Sequence, residues 1–243
     1  APRRGPRGAR GGAGRAAADG GASGGAPAPA PEVDWARLRA YGGSLGLQWV
    51  LMCGTLGVLD FLGGALGASE LLGAREQVAV GLFFTALALR SRLFARLPAP
   101  RPRKDSYGTL EEVVRPSWTP PRLVFPIVWS TIAVLRGTSS AMVWAASGER
   151  LFCWPLAVFC LHLCVGDVWN FVNNVENDRG VAVPGVFLCL LSASATVAAY
   201  WQVLPRAGLV LLPLPLWLCV ASTLVTSIYF LNGRGPLYPA KDA

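Results

Sequence analysis

Four long apolar stretches fill the second half of the chain and leave few folds open to it. Leu123–Gly148 carries one charge, Arg136, and Leu151–Val175 carries one, Asp167, together with the sole histidine, while Val181–Pro205 and Ala207–Gly233 carry none. A membrane-spanning helix needs about 20 mainly apolar residues, so each stretch is long enough to cross a bilayer. The links between them, Glu149-Arg150, Glu176 to Gly180, and Arg206, are a few residues each, which makes consecutive helices antiparallel neighbours. Composition agrees. Of 243 residues 53% are hydrophobic and 15% charged, where soluble domains carry roughly 25% charged. Nine Trp, 28 Gly and 19 Pro suit membrane helices and their interfaces.

Upstream, Ala40–Ser69 carries only Asp60 and can also span. Gln77–Leu89 is a shorter uncharged run followed by Arg90, Arg92 and Arg96, so it reads either as an interfacial helix or, with its arginines snorkelling, as a span over Ala74–Leu97. Charge favours the span. With six helices, 18 of the 22 Lys and Arg fall on one side, in agreement with the positive-inside rule. The net charge of +8 then reflects topology and attraction to anionic lipid. Nucleic-acid binding is excluded, because it needs basic residues interleaved with exposed aromatics on a folded surface.

Residues 1–31 contain no Leu, Ile, Val or aromatic side chain, so nothing there can offset the entropy of ordering and a disordered tail is expected. The tail is Arg-rich and acid-poor, like the remnant of an organellar transit peptide; a low-complexity tail without a targeting role is the alternative. The expected organisation is a tail over 1–40, an extra N-terminal transmembrane helix over 41–73, a five-helix domain over 74–233 and a C-terminal tail over 234–243. All six cysteines fall in apolar stretches, as expected of packing residues rather than disulfides.

The most informative segment runs from Arg115 to Trp129. Trp118 suits the headgroup level, and Pro120 and Pro121 suit the first turn of a helix, where N–H groups are unpaired anyway. Phe125 and Trp129 share a helix face, and Pro126 should kink the early helix. The pattern Trp118, Pro120, Pro121, Phe125, Trp129, followed by Gly137, resembles the TspO/MBR family, the tryptophan-rich sensory and translocator proteins also called peripheral benzodiazepine receptors. Trp169, the Pro213–Trp217 pair and Leu231-Asn232 extend the resemblance over about residues 75–232. The stretch Gly166–Glu176 looks most like plastid and algal members.

The resemblance implies an all-α membrane protein. Five transmembrane helices would lie at about 75–97, 122–147, 151–175, 181–204 and 208–231, with Leu45–Leu66 as the extra helix. It implies a pocket between helices that binds tetrapyrroles such as porphyrin or heme, in some members sterols, and a bundle that is often dimeric. The ligand-binding residues it points to are Trp118, Pro121, Arg122, Phe125, Trp129, Trp169, Asn170 and Trp217. An organellar membrane is implied, plastid envelope or thylakoid, alternatively mitochondrial. The chain also departs from the family pattern. Gly166 and Val225 stand where asparagines are usual, Ala133 and Leu214 where tyrosines are, and Leu123 and Tyr229 where tryptophans are.

Arg136 and Asp167 are charges inside spans, costly unless paired, and their compatible depths on consecutive antiparallel helices suggest an intramembrane ion pair. The pair would be an interhelical lock or, at Arg136, a site for a ligand carboxylate. Cys160, His162 and Cys164 do not form a metal site, because His162 points about 200° from the face shared by the cysteines. Packing is the expected role of His162, with heme ligation the alternative. Asn170, Asn173, Asn174 and Glu176 form a polar helix end, and Leu224, Tyr229 and Arg234 fit the loose cholesterol pattern. The function expected is binding of a tetrapyrrole or similar hydrophobic molecule in transport, scavenging or sensing, with no obligatory cofactor. The alternatives are a structural subunit of a membrane complex with a degenerate pocket, and light-dependent porphyrin oxidation, for which the sequence offers no catalytic acid–base pair or metal site.

Overall fold

A computed structural model describes residues 31–66, 75–97 and 113–241, and the residue 1–30 part of the expected tail lies outside the described residues. The helices are α1 (Trp35–Ala65), α2 (Glu76–Arg90, extended by a 3-10 turn Ser91–Phe94), α3 (Val124–Ala146), α4 (Trp154–Asn174), α5 (Arg179–Val203), α6 (Pro205–Leu211) and α7 (Pro213–Leu231). Among the described residues the only extended pairing is an isolated bridge between Val33 and Ala240.

Local chemistry sets most helix ends. Asp34 caps α1 by accepting from the Arg37 backbone N–H at 3.0 Å, and Asp178 caps α5 by accepting from the Val181 N–H at 3.2 Å. Prolines occupy the first turns of α4, α6 and α7, where a missing N–H costs nothing. The α6–α7 break falls at Leu212, just before Pro213. Helix α1 begins at Trp35, six residues before the expected boundary at 41. Arg37 and Arg39 resemble tail charges in sequence, but at about 46 Å the helix exceeds the ~30 Å hydrocarbon core, and its first turns extend beyond it.

The chain is an integral membrane protein. Five segments, α1, α2 with its 3-10 turn, α4, α5, and α6–α7 together, are long and apolar enough to cross a membrane. Helix α3 is 23 residues long but spends apolarity on buried Arg136, Ser139 and Ser140. The ends of the described chain show that it crosses too. Asp34 N–H donates to the Pro239 carbonyl at 2.7 Å, and Lys241 N–H to the Glu32 carbonyl at 2.9 Å. Residues before α1 and after α7 therefore lie on one side, which requires an even number of crossings. At the opposite side, Asp60 near the end of α1 accepts from the Leu151 and Phe152 N–H groups before α4, at 2.5 and 2.8 Å.

Helix α3 packs on α2 and α6, while α5 packs on α4 and α7. The α2–α3 approach is close enough that a Cβ on Gly137 would fall 2.4 Å from the Gly81 carbonyl oxygen and 1.9 Å from Thr85 Oγ1. Helix α1 lies along α4, with Trp49 Nε1 donating to the Ala157 carbonyl at 2.9 Å. The core gathers Met52, Phe84, Phe159, Tyr200 and Leu211 from five helices. Phe61, Leu82, Leu123, Ile127 and Leu191 are exposed, as a lipid-facing surface requires.

Candidate ligand-binding cavity

Helices α3 and α4 touch only sparingly, and the space between them and α5 and α7 is a cavity of about 630 Å³. That volume lies within the range of small-molecule sites. Its mouth is built from Ser91 and Arg92 after α2, Val113, Arg115 and Thr119 before α3, the Asn170–Asn174 end of α4, and Arg179 at the start of α5. Its inner end holds Ala133, Arg136, His162 and Cys189. Arg136 is twelve residues into α3 and His162 twelve residues before the end of α4, so both lie about 18 Å below the mouth at 1.5 Å per residue.

Aromatic side chains form the walls. Phe125, Trp129, Trp169 and Trp217 line the cavity, with Phe125 edge-on to Trp217 at 5.9 Å between ring centroids. Trp169 is held by its Nε1–H, which donates to the Ala182 carbonyl at 3.1 Å, and by Gly185, where a Cβ would come within 2.9 Å of the indole. Asn170 lies at the mouth and accepts from Arg92 Nη2. These are the five expected ligand residues that the fold brings together. Trp118, Pro121 and Arg122 do not join them: all three are exposed and outside the lining, because the double proline turns the chain into α3 on its outer side. Thr119 takes the inward position within that motif.

The mouth loop is fastened by Asn232, the residue that caps the end of α7. Asn232 Oδ1 accepts from the Val114 N–H at 2.8 Å, and Asn232 Nδ2 donates to the Val114 carbonyl at 2.7 Å. The side-chain amide thus pairs with the Val114 backbone as a neighbouring strand would.

The expected Arg136–Asp167 ion pair is corrected by the structure: both residues border the cavity, yet among the described residues they do not pair. Gln48 of α1 donates from Nε2 to Asp167 Oδ2 at 2.7 Å and to the Ser91 carbonyl at 3.1 Å. Arg92 Nε sits 3.7 Å from Asp167 Oδ1. Arg136 instead donates from Nη2 to His162 Nε2 at 2.9 Å. A guanidinium can only donate, so His162 Nε2 accepts and its Nδ1 carries the proton. That Nδ1–H donates to Ser192 Oγ at 2.9 Å, and Ser192 donates in turn to the Cys189 carbonyl at 3.0 Å. The partner of Arg136 is therefore not an acid but a neutral imidazole on the same helix as Asp167, five residues before it.

Both His162 nitrogens are engaged, so an iron atom would have to displace Arg136 or Ser192 to be ligated there. Among the described residues no group of His, Cys, Asp and Glu could hold a metal ion, and all six cysteines are free. Leu224 and Tyr229 of the cholesterol pattern are buried. Leu224 borders the cavity and Tyr229 donates to the Gly235 carbonyl at 2.7 Å, so the pattern presents no continuous lipid-facing surface. The family departures Ala133, Gly166 and Val225 all line the cavity, where their small or apolar side chains leave room and remove polar groups.

These features define a helical membrane bundle that encloses an aromatic-walled cavity opening at one membrane face. The chain belongs to the TspO/MBR family, whose model matches residues 80–231. It is 32% identical to protein CrtK of Rhodobacter capsulatus over 131 residues, covering 52% of this chain and 81% of that protein. It is likewise 32% identical to the human translocator protein over 113 residues, 45% of this chain and 66% of the relative. The tryptophan-rich sensory protein of Cereibacter sphaeroides is 27% identical over 122 residues, 50% and 75% of the two chains. Helix α1 lies wholly outside the family match.

Proposed function

We propose that this protein binds a flat hydrophobic ligand of the tetrapyrrole class in the cavity, for transport, scavenging or sensing in an organellar membrane. The observation that carries this reading is the ring of Phe125, Trp129, Trp169 and Trp217 around about 630 Å³ of space. Aromatic faces stack on a flat macrocycle with little ordering cost, because each has only two side-chain torsions. The asparagine-rich mouth leaves polar edges of such a ligand solvated. The Arg-rich, acid-poor tail supports an organellar address, plastid or mitochondrial. A structural subunit with a degenerate pocket would have no need to keep an open, aromatic-lined cavity.

The test is quenching of Trp fluorescence by protoporphyrin in detergent. Saturable quenching that weakens at least tenfold in Trp129→Leu is expected. Quenching absent in the wild-type protein would refute the reading.

A further inference from the structure

We propose that Arg136 seats an acid group of the ligand, so that the ligand is an amphipathic carboxylate that enters acid-first, its apolar body against the tryptophans. This rests on the cavity being the ligand site. Arg136 is 9% exposed and borders the inner end of the cavity. Its Nε has no hydrogen-bond partner among the described residues, and neither has Trp217 Nε1, a second donor on the same cavity. A buried N–H is rarely left unpaired in a folded protein unless something else completes it.

The charge is also left open. The sole hydrogen bond of the Arg136 side chain among the described residues goes to His162 Nε2, which accepts without carrying negative charge. Asp167, the only acid among the described lining residues, is held by Gln48 and faces Arg92. The relay from His162 through Ser192 to the Cys189 carbonyl fixes the imidazole, and the imidazole fixes the guanidinium. The Trp129 ring, 5.7 Å from the guanidinium carbon, holds it from another side. A fixed, desolvated guanidinium with an idle donor is the complement of a carboxylate. Arg92, Arg115 and Arg179 at the mouth add positive potential along the way in.

The experiment compares protoporphyrin, which has two propionic acids, with its dimethyl ester, read by Trp quenching of the full chain in detergent. The acid should bind at least tenfold more tightly than the ester, a gap of about 1.4 kcal/mol. Arg136→Met should close that gap by weakening the acid alone, Arg136→Lys should restore part of it, and Arg122→Met should leave it intact. Should Arg136→Met fail to fold, Arg136→Gln keeps a donor for His162 and removes the charge. Equal binding of acid and ester by the wild type, or a gap that survives loss of the charge, overturns the acid seat while the cavity reading stands. If neither macrocycle binds, the tetrapyrrole reading falls. The seat is then decided by the same gap between oleate and methyl oleate, whose absence overturns it.

Discussion

Gln48 and Asp167 meet at 2.7 Å across the α1–α4 interface, so a helix outside the family-matching segment holds the one acid among the described residues of the cavity wall. The same amide also bonds the Ser91 carbonyl, where α2 gives way to its 3-10 turn. One side chain on α1 therefore ties together two of the elements that shape the mouth.

Replacing Gln48 by Leu removes both bonds and leaves Asp167 short of a donor. A loss of about 1.5–3 kcal/mol is expected, in the range for hydrogen bonds to charged groups. Thermal unfolding in detergent measures it. A shift no larger than that of Val50→Ala, on the exposed face of α1, would mean that the bond contributes nothing.

The α2–α3 contact depends on Gly137 having no side chain. Gly137→Ala drives a methyl group into the Gly81 carbonyl and should destabilise the bundle by about 1–3 kcal/mol, with Gly137→Val worse. Gly166→Ala, where a Cβ meets nothing within 4 Å, is the matched control and should unfold within about 0.5 kcal/mol of the wild type.

Around the start of α1, Arg37 Nη2 lies 2.9 Å from Glu176 and 3.1 Å from Asp178, while the Tyr41 hydroxyl donates to Glu176. Arg37→Met leaves two neighbouring carboxylates without their shared cation. The first turns of α1 should then fray, seen as faster proteolysis after residue 35 and faster amide exchange there than at Met52. Unchanged exchange at Leu38–Tyr41 would show that the helix holds without the cluster.

Trp118 and Arg122 belong to the family's most recognisable motif but face away from the cavity. Trp118→Leu and Arg122→Met should change porphyrin affinity by less than twofold, while Trp217→Leu lowers it about tenfold, within the range for losing one stacked aromatic partner. A large loss in Trp118→Leu would place ligand contacts outside the described cavity.

Single cysteines at Leu237 and Arg150 of a background with its six native cysteines replaced give a topology test. An impermeant thiol reagent should reach position 237 from the same side as Glu32→Cys, and position 150 only from the other. Labelling of positions 32 and 237 from opposite sides would contradict the pairing of the two ends.

The transmembrane bundle was legible because runs of uncharged residues and the spaced aromatics each act locally, whereas Pro120 and Pro121, expected in a first helical turn, precede α3, which begins at Val124. Phe125, Trp129, Trp169 and Trp217 converge because each keeps the face set by its helical register. What sequence could not show depends on rotation between helices. Opposite charges at similar depth made Arg136 and Asp167 look like partners, but α1 reaches Asp167 first, and His162 offers Arg136 a nearer acceptor. Likewise, Trp118, Pro121 and Arg122 sit at the correct height for the mouth, but the turn into α3 points them outward. Helix α1 starts before its first charges because Arg37, which resembles a tail charge in sequence, meets partners about 140 positions further along.

The clasp between Glu32–Asp34 and Pro239–Lys241 also bears on how the protein is made. Its two halves lie more than 200 residues apart, so during synthesis the residues before α1 wait for the segment after α7 before they can pair. Until then α1 is held by Gln48 on Asp167 and the Ser91 carbonyl, by Trp49 on α4, and by Arg37 on Glu176 and Asp178. A chain cut short after α7 would still fill the membrane but could not close on itself. That unfastened end marks a fold not yet closed, on the membrane side where the cavity opens.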